Sequence, residues 1–339
     1  MKRKISFICL IIMSMMFLNS CQKNEVTTEN QDTSKKEESV VFIGDPTPSW
    51  DSVQLHNAII SYILETGYGY RAEIISGKSN VLKETIKTGG IDVLMEYWIY
   101  DEKRYEEEIK DDLIEEASVN FSPIEGVYVP KYMIYGDEEN GIKATAPGLK
   151  YLKDLPKYKD AFVTVEGEKP KLYTSAKDWT PYITLEKKYD AYGIRETFDI
   201  VIPRNDSFLA NTGTSAFKEK KPWIGYYWEP SEMMALNEFV RLEEDPYSEE
   251  VYMTTGLCNF PNTKVAVVVS PNLKKEKQDV YAFLKNYKTN NDIIHEMINF
   301  NKVASGNKRE FARTFLEANE DIWKNWVSKE AYKKIKNTF

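Results

Sequence analysis

Three regimes of apolar and polar patterning follow one another along the chain. Lys2, Arg3 and Lys4 precede an almost wholly apolar run from Ile5 to Leu18; Gln22 to Ser39 alternates Lys, Glu, Thr, Asn, Gln and Ser; and from Val40 onward apolar residues recur with the periods of regular structure. Val40 to Ile43 reads as a short strand, and Leu55, Ile59, Tyr62 and Ile63 share one face of a helix that Gly67 closes. Tyr70 to Ile75 is a second strand, Asn80 to Lys87 a short helix stopped by Gly89-Gly90, and Ile91 to Tyr97 a third strand. Alternation of this kind predicts parallel strands covered by helices. The pattern then starts afresh, with strands at Val127 to Tyr135, Leu172 to Thr174, Phe198 to Ile202 and Trp223 to Trp228, and helices at Pro181 to about Tyr192 and Ser207 to Lys220. A last strand, Lys264 to Val269, leads into a helical tail. Two α/β lobes result, with a cleft between them where a small ligand can bind and a hinge can close.

Residues 1–20 have the basic and apolar segments of a secretory signal. About 14 apolar positions are too few to cross a bilayer as a helix. Leu18-Asn19-Ser20-Cys21 resembles the bacterial lipobox, which implies cleavage before Cys21 and acylation of its thiol. Segment 21–39 lacks the apolar content to fold and is expected to be a flexible, charged tether. The expected location is the extracytoplasmic face of a bacterial cell membrane, with the lipid bilayer engaged through acylated Cys21.

Loss of Lys2, Arg3 and Lys4 with the signal takes the formal charge from −8 to −11. Such an acidic chain is not expected to bind nucleic acid, which requires a basic face. Two His and three Cys leave little material for a metal site or a disulfide framework, so neither cofactor nor metal is expected. Cys258 is read as a small buried apolar residue. Nothing in the chain signals obligate oligomerisation, and a monomer is expected.

Aromatic residues are the richer resource, and the tryptophans fall where ligands go. Trp50 follows the Gly44 to Ser49 loop and precedes a helix, Trp98 ends the third strand, Trp228 ends Gly225-Tyr226-Tyr227-Trp228, and Trp179 follows the Leu172 to Thr174 strand. In open parallel sheets the carboxyl ends of the strands form the binding edge. Converging indole faces suit a trimethylammonium group, which offers no N–H, through cation-π attraction of roughly 0.5 to 2 kcal/mol per desolvated ring. Asp51 adjoins Trp50 as either helix cap or ligand contact, and Glu96, two before Trp98, shares its face in a regular strand. Tyr132 is a candidate to complete the cage.

These segments together resemble the substrate-binding proteins of glycine betaine/choline-type ABC transporters. The resemblance runs from Val40 to about Val327 and rests on Gly44 to Trp50, Leu64-Glu65-Thr66-Gly67-Tyr68, Gly90-Ile91-Asp92-Val93 through Trp98, Val129-Pro130-Lys131-Tyr132, and Gly225 to Pro230. It implies an α/β, two-lobed periplasmic-binding fold of type 2, with lobe 1 from 40–127 plus 240–339 and lobe 2 from 128–239. It also implies an aromatic box split between lobes, Trp50 and Trp98 from the first and Trp179 and Trp228 from the second. The expected partners are a quaternary ammonium ligand, glycine betaine before choline, and an ABC permease. Ser231 stands where many relatives have a histidine. An exported hydrolase with glycan-stacking aromatics, or a sensory lipoprotein, are the competing functions. The chain shows no Gly-x-Ser-x-Gly elbow, and Asp92 and Glu96 form an unsupported carboxylate pair, so no catalytic residue is assigned.

Overall fold

The computed structural model of this chain describes residues 39–46 and 51–339. The signal segment, Cys21, the tether and Trp50 lie outside the described residues. Ten strands carry the framework: β1 (Val40–Asp45), β2 (Arg71–Ser76), β3 (Val93–Ile99), β4 (Glu115–Phe121), β5 (Ile124–Pro130), β6 (Lys171–Tyr173), β7 (Asp199–Val201), β8 (Gly225–Glu229), β9 (Phe239–Arg241) and β10 (Lys264–Val269). They form two five-stranded sheets, ordered β2-β1-β3-β10-β4 and β7-β6-β8-β5-β9.

The two sheets share one design. In the first, β1 pairs parallel with β2 and β3, while β10 is antiparallel to β3 and β4. In the second, β6 pairs parallel with β7 and β8, while β5 is antiparallel to β8 and β9. The expected parallel core is therefore present in each lobe, closed on one side by an antiparallel strand. Apolar runs buried on both faces make β3 and β10 central, since helices cover both sides. The helix Asp51–Ile63 buries Val53, Leu55, Ile59, Ile60 and Ile63 on one face of the first sheet. The helix Ser79–Lys87 buries Leu82 and Ile86 with Leu94, Tyr97 and Ile99 on the other.

Two boundaries move. β5 lies whole in the second sheet, so the chain leaves the first lobe at Ser122-Pro123, and the expected division at 127/128 would cut a strand. β9 also belongs to the second sheet, and the segment after it stays there, because buried Lys188 binds both the Glu244 carboxylate and the Cys258 carbonyl. The return therefore falls after residue 240. The expected strand Val127 to Tyr135 ends at Pro130, where the helix Lys131–Tyr135 begins. β4 escapes sequence reading because Glu115 and Glu116 open it. They are held by Lys274 and Tyr281, and by Tyr105, on the strand at the sheet's edge.

Candidate functional site

A break in the alternation of β3 aims the central side chain of the site. Opposite β10, Met95 and Glu96 together face the single residue Val267, because Ala266 pairs with Tyr97 and Val268 with Leu94. This is a β-bulge, and it shifts the phase of every residue beyond it. Val93 and Met95 point into the main core, and after the bulge so does Trp98, while Tyr97 and Ile99 join the outer cluster. Without the extra residue, Trp98 would face outward.

Trp98 thereby meets the second lobe. Its ring lies 6.4 Å from that of Trp228, edge to face at 88°, and Trp179 meets Trp228 edge to face at 5.4 Å. Tyr227 stacks on Trp228 at 4.4 Å, and Tyr100 stacks on Trp98 at 6.1 Å. The three indoles line one cavity of about 290 Å³ between the sheets. Tyr100 and Tyr226 also line it, as do Lys78, Ser79 and Asn80 at the start of the helix Ser79–Lys87, and Arg204, Asn205 and Asp206 at the start of the helix Asp206–Lys218. Asn205 caps its helix by accepting the Phe208 N–H at 2.9 Å, and both Asn205 and Asp206 line the cavity.

Buried carboxylates stand behind this wall. Glu96 accepts from the Trp98 indole N–H at 3.2 Å, and burial pushes its carboxyl up to about 7 against the hydrogen bonds from Ser52 and Trp98. Glu125 accepts from the hydroxyls of Tyr226 at 2.5 Å and Tyr100 at 3.1 Å; burial again raises it to about 7. Tyr100 follows β3 of the first lobe and Tyr226 lies on β8 of the second, so Glu125 links the two. Lys83 donates to the Trp98 carbonyl at 2.8 Å and lies over the Tyr97 ring; burial lowers its ammonium to about 8. At the mouth, Lys78 of one lobe and Asp178 of the other approach to 3.9 Å.

Of the residues singled out by sequence, the structure brings Trp98, Trp179 and Trp228 together. Asp51 opens its helix without lining the cavity; its carboxyl is pushed up to about 7, first by burial, then by the charges of Glu232 and Asp206. Tyr132 is spent elsewhere: it is buried on the helix Lys131–Tyr135, and its hydroxyl donates to the carbonyls of Ala216 and Lys221. Asp92 is structural, accepting from the Phe42 N–H and Lys277. Ser231, at the histidine position, caps the helix Glu232–Leu236. Cys258 is a buried free thiol. Tyr100, Tyr226 and Glu125 were not foreseen as a group, since their meeting depends on strands from different lobes.

Two topologically similar sheets flanking an aromatic-walled cavity define a two-lobed solute-binding protein. The chain belongs to the family described as the substrate-binding domain of ABC-type glycine betaine transport systems, which it matches over residues 41–318. That family consists of binding components of transporters and not of enzymes. Solved structures agree on the fold. The glycine betaine/L-proline-binding protein ProX from Borrelia burgdorferi superposes with a TM-score of 0.65 at 19% identity, covering 88% of this chain and 100% of its own. An ABC-transporter choline-binding protein in complex with choline gives 0.65 at 18%, covering 88% and 97%. Lactococcal OpuAC, closed on glycine betaine, gives 0.62 at 15%, covering 86% and 100%. Among the described residues no helix is long and apolar enough to cross a membrane.

Proposed function

We propose that this protein captures a quaternary ammonium compound, glycine betaine foremost and choline next, and delivers it to an ABC permease. One observation carries the proposal: three indoles, contributed by both lobes, meet nearly at right angles around one cavity. A trimethylammonium group can be recognised only by surfaces that are electron-rich without needing a donor, and rings from two lobes surround it fully only when the lobes close. Lys78, Arg204 and two helix starts in the same cavity favour a ligand that also has a carboxylate, hence the preference for glycine betaine. Trp50 would add a further wall, and Cys21 a lipid tether that keeps a monomeric body at the extracytoplasmic face of the cell membrane. The tether is checked by mass spectrometry of the N-terminal peptide, which should begin at an acylated Cys21.

Calorimetry with glycine betaine, choline, carnitine and proline betaine tests the ligand. Binding of at least one in the micromolar range is expected, with Trp98→Ala and Trp228→Ala each weakening it tenfold or more, as the loss of one desolvated cation-π contact predicts. Absence of binding to all four at millimolar concentration sinks the proposal.

A further inference from the structure

Glu96 is not a cavity residue, yet it touches the residue that is. Its side chain is fully buried, and one carboxylate oxygen accepts the Trp98 indole N–H at 3.2 Å. The other oxygen lies 3.8 Å from His56 Nε2, beyond hydrogen-bond reach, and has no hydrogen-bond partner. Glu96 and Trp98, two apart beyond the bulge in β3, share a face, and the carboxylate meets the N–H edge of the ring that packs edge to face with Trp228.

We propose that Glu96 is a positioning and specificity-determining residue of the aromatic box: its carboxylate holds the Trp98 indole in the orientation that meets Trp228 and places a negative charge at the N–H edge of that ring, so the wall favours cations. This rests on the reading of the cavity as a quaternary ammonium site. An indole that donates to an anion is polarised toward greater electron density, which strengthens its attraction for a cation on its face. The carboxylate adds direct Coulomb attraction through a partly dehydrated medium. Because the ligand meets the ring and not the carboxylate, the charge acts without a contact that would need desolvating on each binding event.

Among the described residues no lysine or arginine is paired with this charge. The groups facing Glu96 are Asp45 of β1, Asp51, Ser52 and His56 of the helix Asp51–Ile63, Trp98 of its own strand, and Tyr287 after the helix Gln278–Asn286. His56 is neutral: burial pushes it down to about 3, and its Nδ1 is engaged with the Tyr287 hydroxyl at 2.7 Å. With Asp45 and Asp51 opposing its ionisation and burial raising it to about 7, Glu96 changes charge near neutrality. A bound cation favours the ionised form, so ligand affinity and Glu96 ionisation reinforce each other.

The test is calorimetry with glycine betaine at pH 6 and pH 8 on the full-length protein, Glu96→Gln and Asp51→Asn. The wild type is expected to bind about fivefold more tightly at pH 8 than at pH 6, which is what a tenfold preference for the ionised form of a carboxyl titrating near 7 gives. Glu96→Gln keeps an acceptor for the indole N–H without the charge; it should bind about tenfold more weakly than wild type at pH 8 and show no rise. Asp51→Asn should keep the rise. Wild-type affinity equal at both pH values overturns the proposal, and so does Glu96→Gln matching wild type at pH 8 or Asp51→Asn losing the rise. If Glu96→Gln does not fold, Glu125→Gln takes its place beside Asp51→Asn: the pH 6 to pH 8 rise must survive in both, because Glu125 is the other carboxyl near the cavity raised to about 7, and its loss in either overturns the proposal. Failure of the wild type to bind at either pH would instead sink the quaternary ammonium reading itself, a result distinct from binding that ignores pH.

Discussion

Glu125 fixes the second lobe against the first, and Lys188 fixes the segment after β9 within the second. The Glu125 carboxylate collects hydroxyls from both sides of the hinge, Tyr100 and Tyr226. Lys188 is fully buried, its ammonium held by Glu244 at 2.7 Å and the Cys258 carbonyl at 2.5 Å and lying over the Phe260 ring. A buried ion pair adds little net stability over an apolar pair, but removing one member strands the other. Lys188→Ala is therefore expected to cost about 3 to 5 kcal/mol in chemical denaturation, while the double change of Lys188→Met with Glu244→Leu should recover most of it. A single variant as stable as wild type would show that Glu244 reaches water on its own.

At the scale of elements, the strand that carries Trp228 depends on a residue with no side chain. A Cβ added at Gly225 would lie 2.7 Å from Trp223 Cζ2 and 2.9 Å from the Tyr173 carbonyl oxygen, the second a backbone atom of the paired strand β6. Gly225→Ala should destabilise by roughly 1 to 3 kcal/mol, as overpacking does, and should also weaken ligand binding by shifting the register of β8 under Trp228. Thermal unfolding and calorimetry read the two effects separately, and wild-type values in both would show that β6 and β8 have room to part. The parallel trios of both sheets are legible in the sequence because their strands fall between glycine stops and stretches of helix periodicity, even where, as in β2, they carry Arg71 and Glu73. Trp98 and Trp228 were legible as strand-end residues for the same reason. The bulge at Met95-Glu96 was not, since it arises only from pairing with β10, which lies about 170 residues further along the chain. β4 was hidden by its two glutamates, and the Tyr100–Glu125–Tyr226 group by its assembly from two lobes. Tyr132 misled because abundance of tyrosine near a motif carries no information on where a hydroxyl points.

For the whole molecule, the buried carboxylates make stability and ligand response run in opposite directions with pH. Glu96 and Glu125 are raised from 4.5, and Asp51 from 3.8, to about 7. A carboxyl raised in the folded state stabilises the fold fully below its unfolded value and ceases to do so as pH climbs through the folded one. His56, lowered from 6.5 to about 3, has the reverse sign: its contribution is present above 6.5 and is lost as pH falls. Three groups against one leave the folded ligand-free protein holding more protons than the unfolded chain between about pH 5 and 7, so its stability falls across that range. Below about 4.5 the sign turns, because Glu108 and Glu115, held low by Lys87 and Tyr97 and by Tyr281 and Lys274, lose their partners' help on protonation. Lys83, lowered to about 8, enters only from about pH 7 upward, where it opposes the fall. The ligand-free melting temperature is therefore expected to peak near pH 5 and to drop by on the order of 5 °C by pH 8. The rise in melting temperature produced by saturating glycine betaine should grow over the same interval, since the cation stabilises the ionised Glu96 that the empty fold resists. Differential scanning calorimetry across pH 5 to 8, with and without glycine betaine, measures both trends. A ligand-free melting temperature that climbs steadily to pH 8 would mean that water reaches these carboxylates and that the aromatic wall has no charge stored behind it.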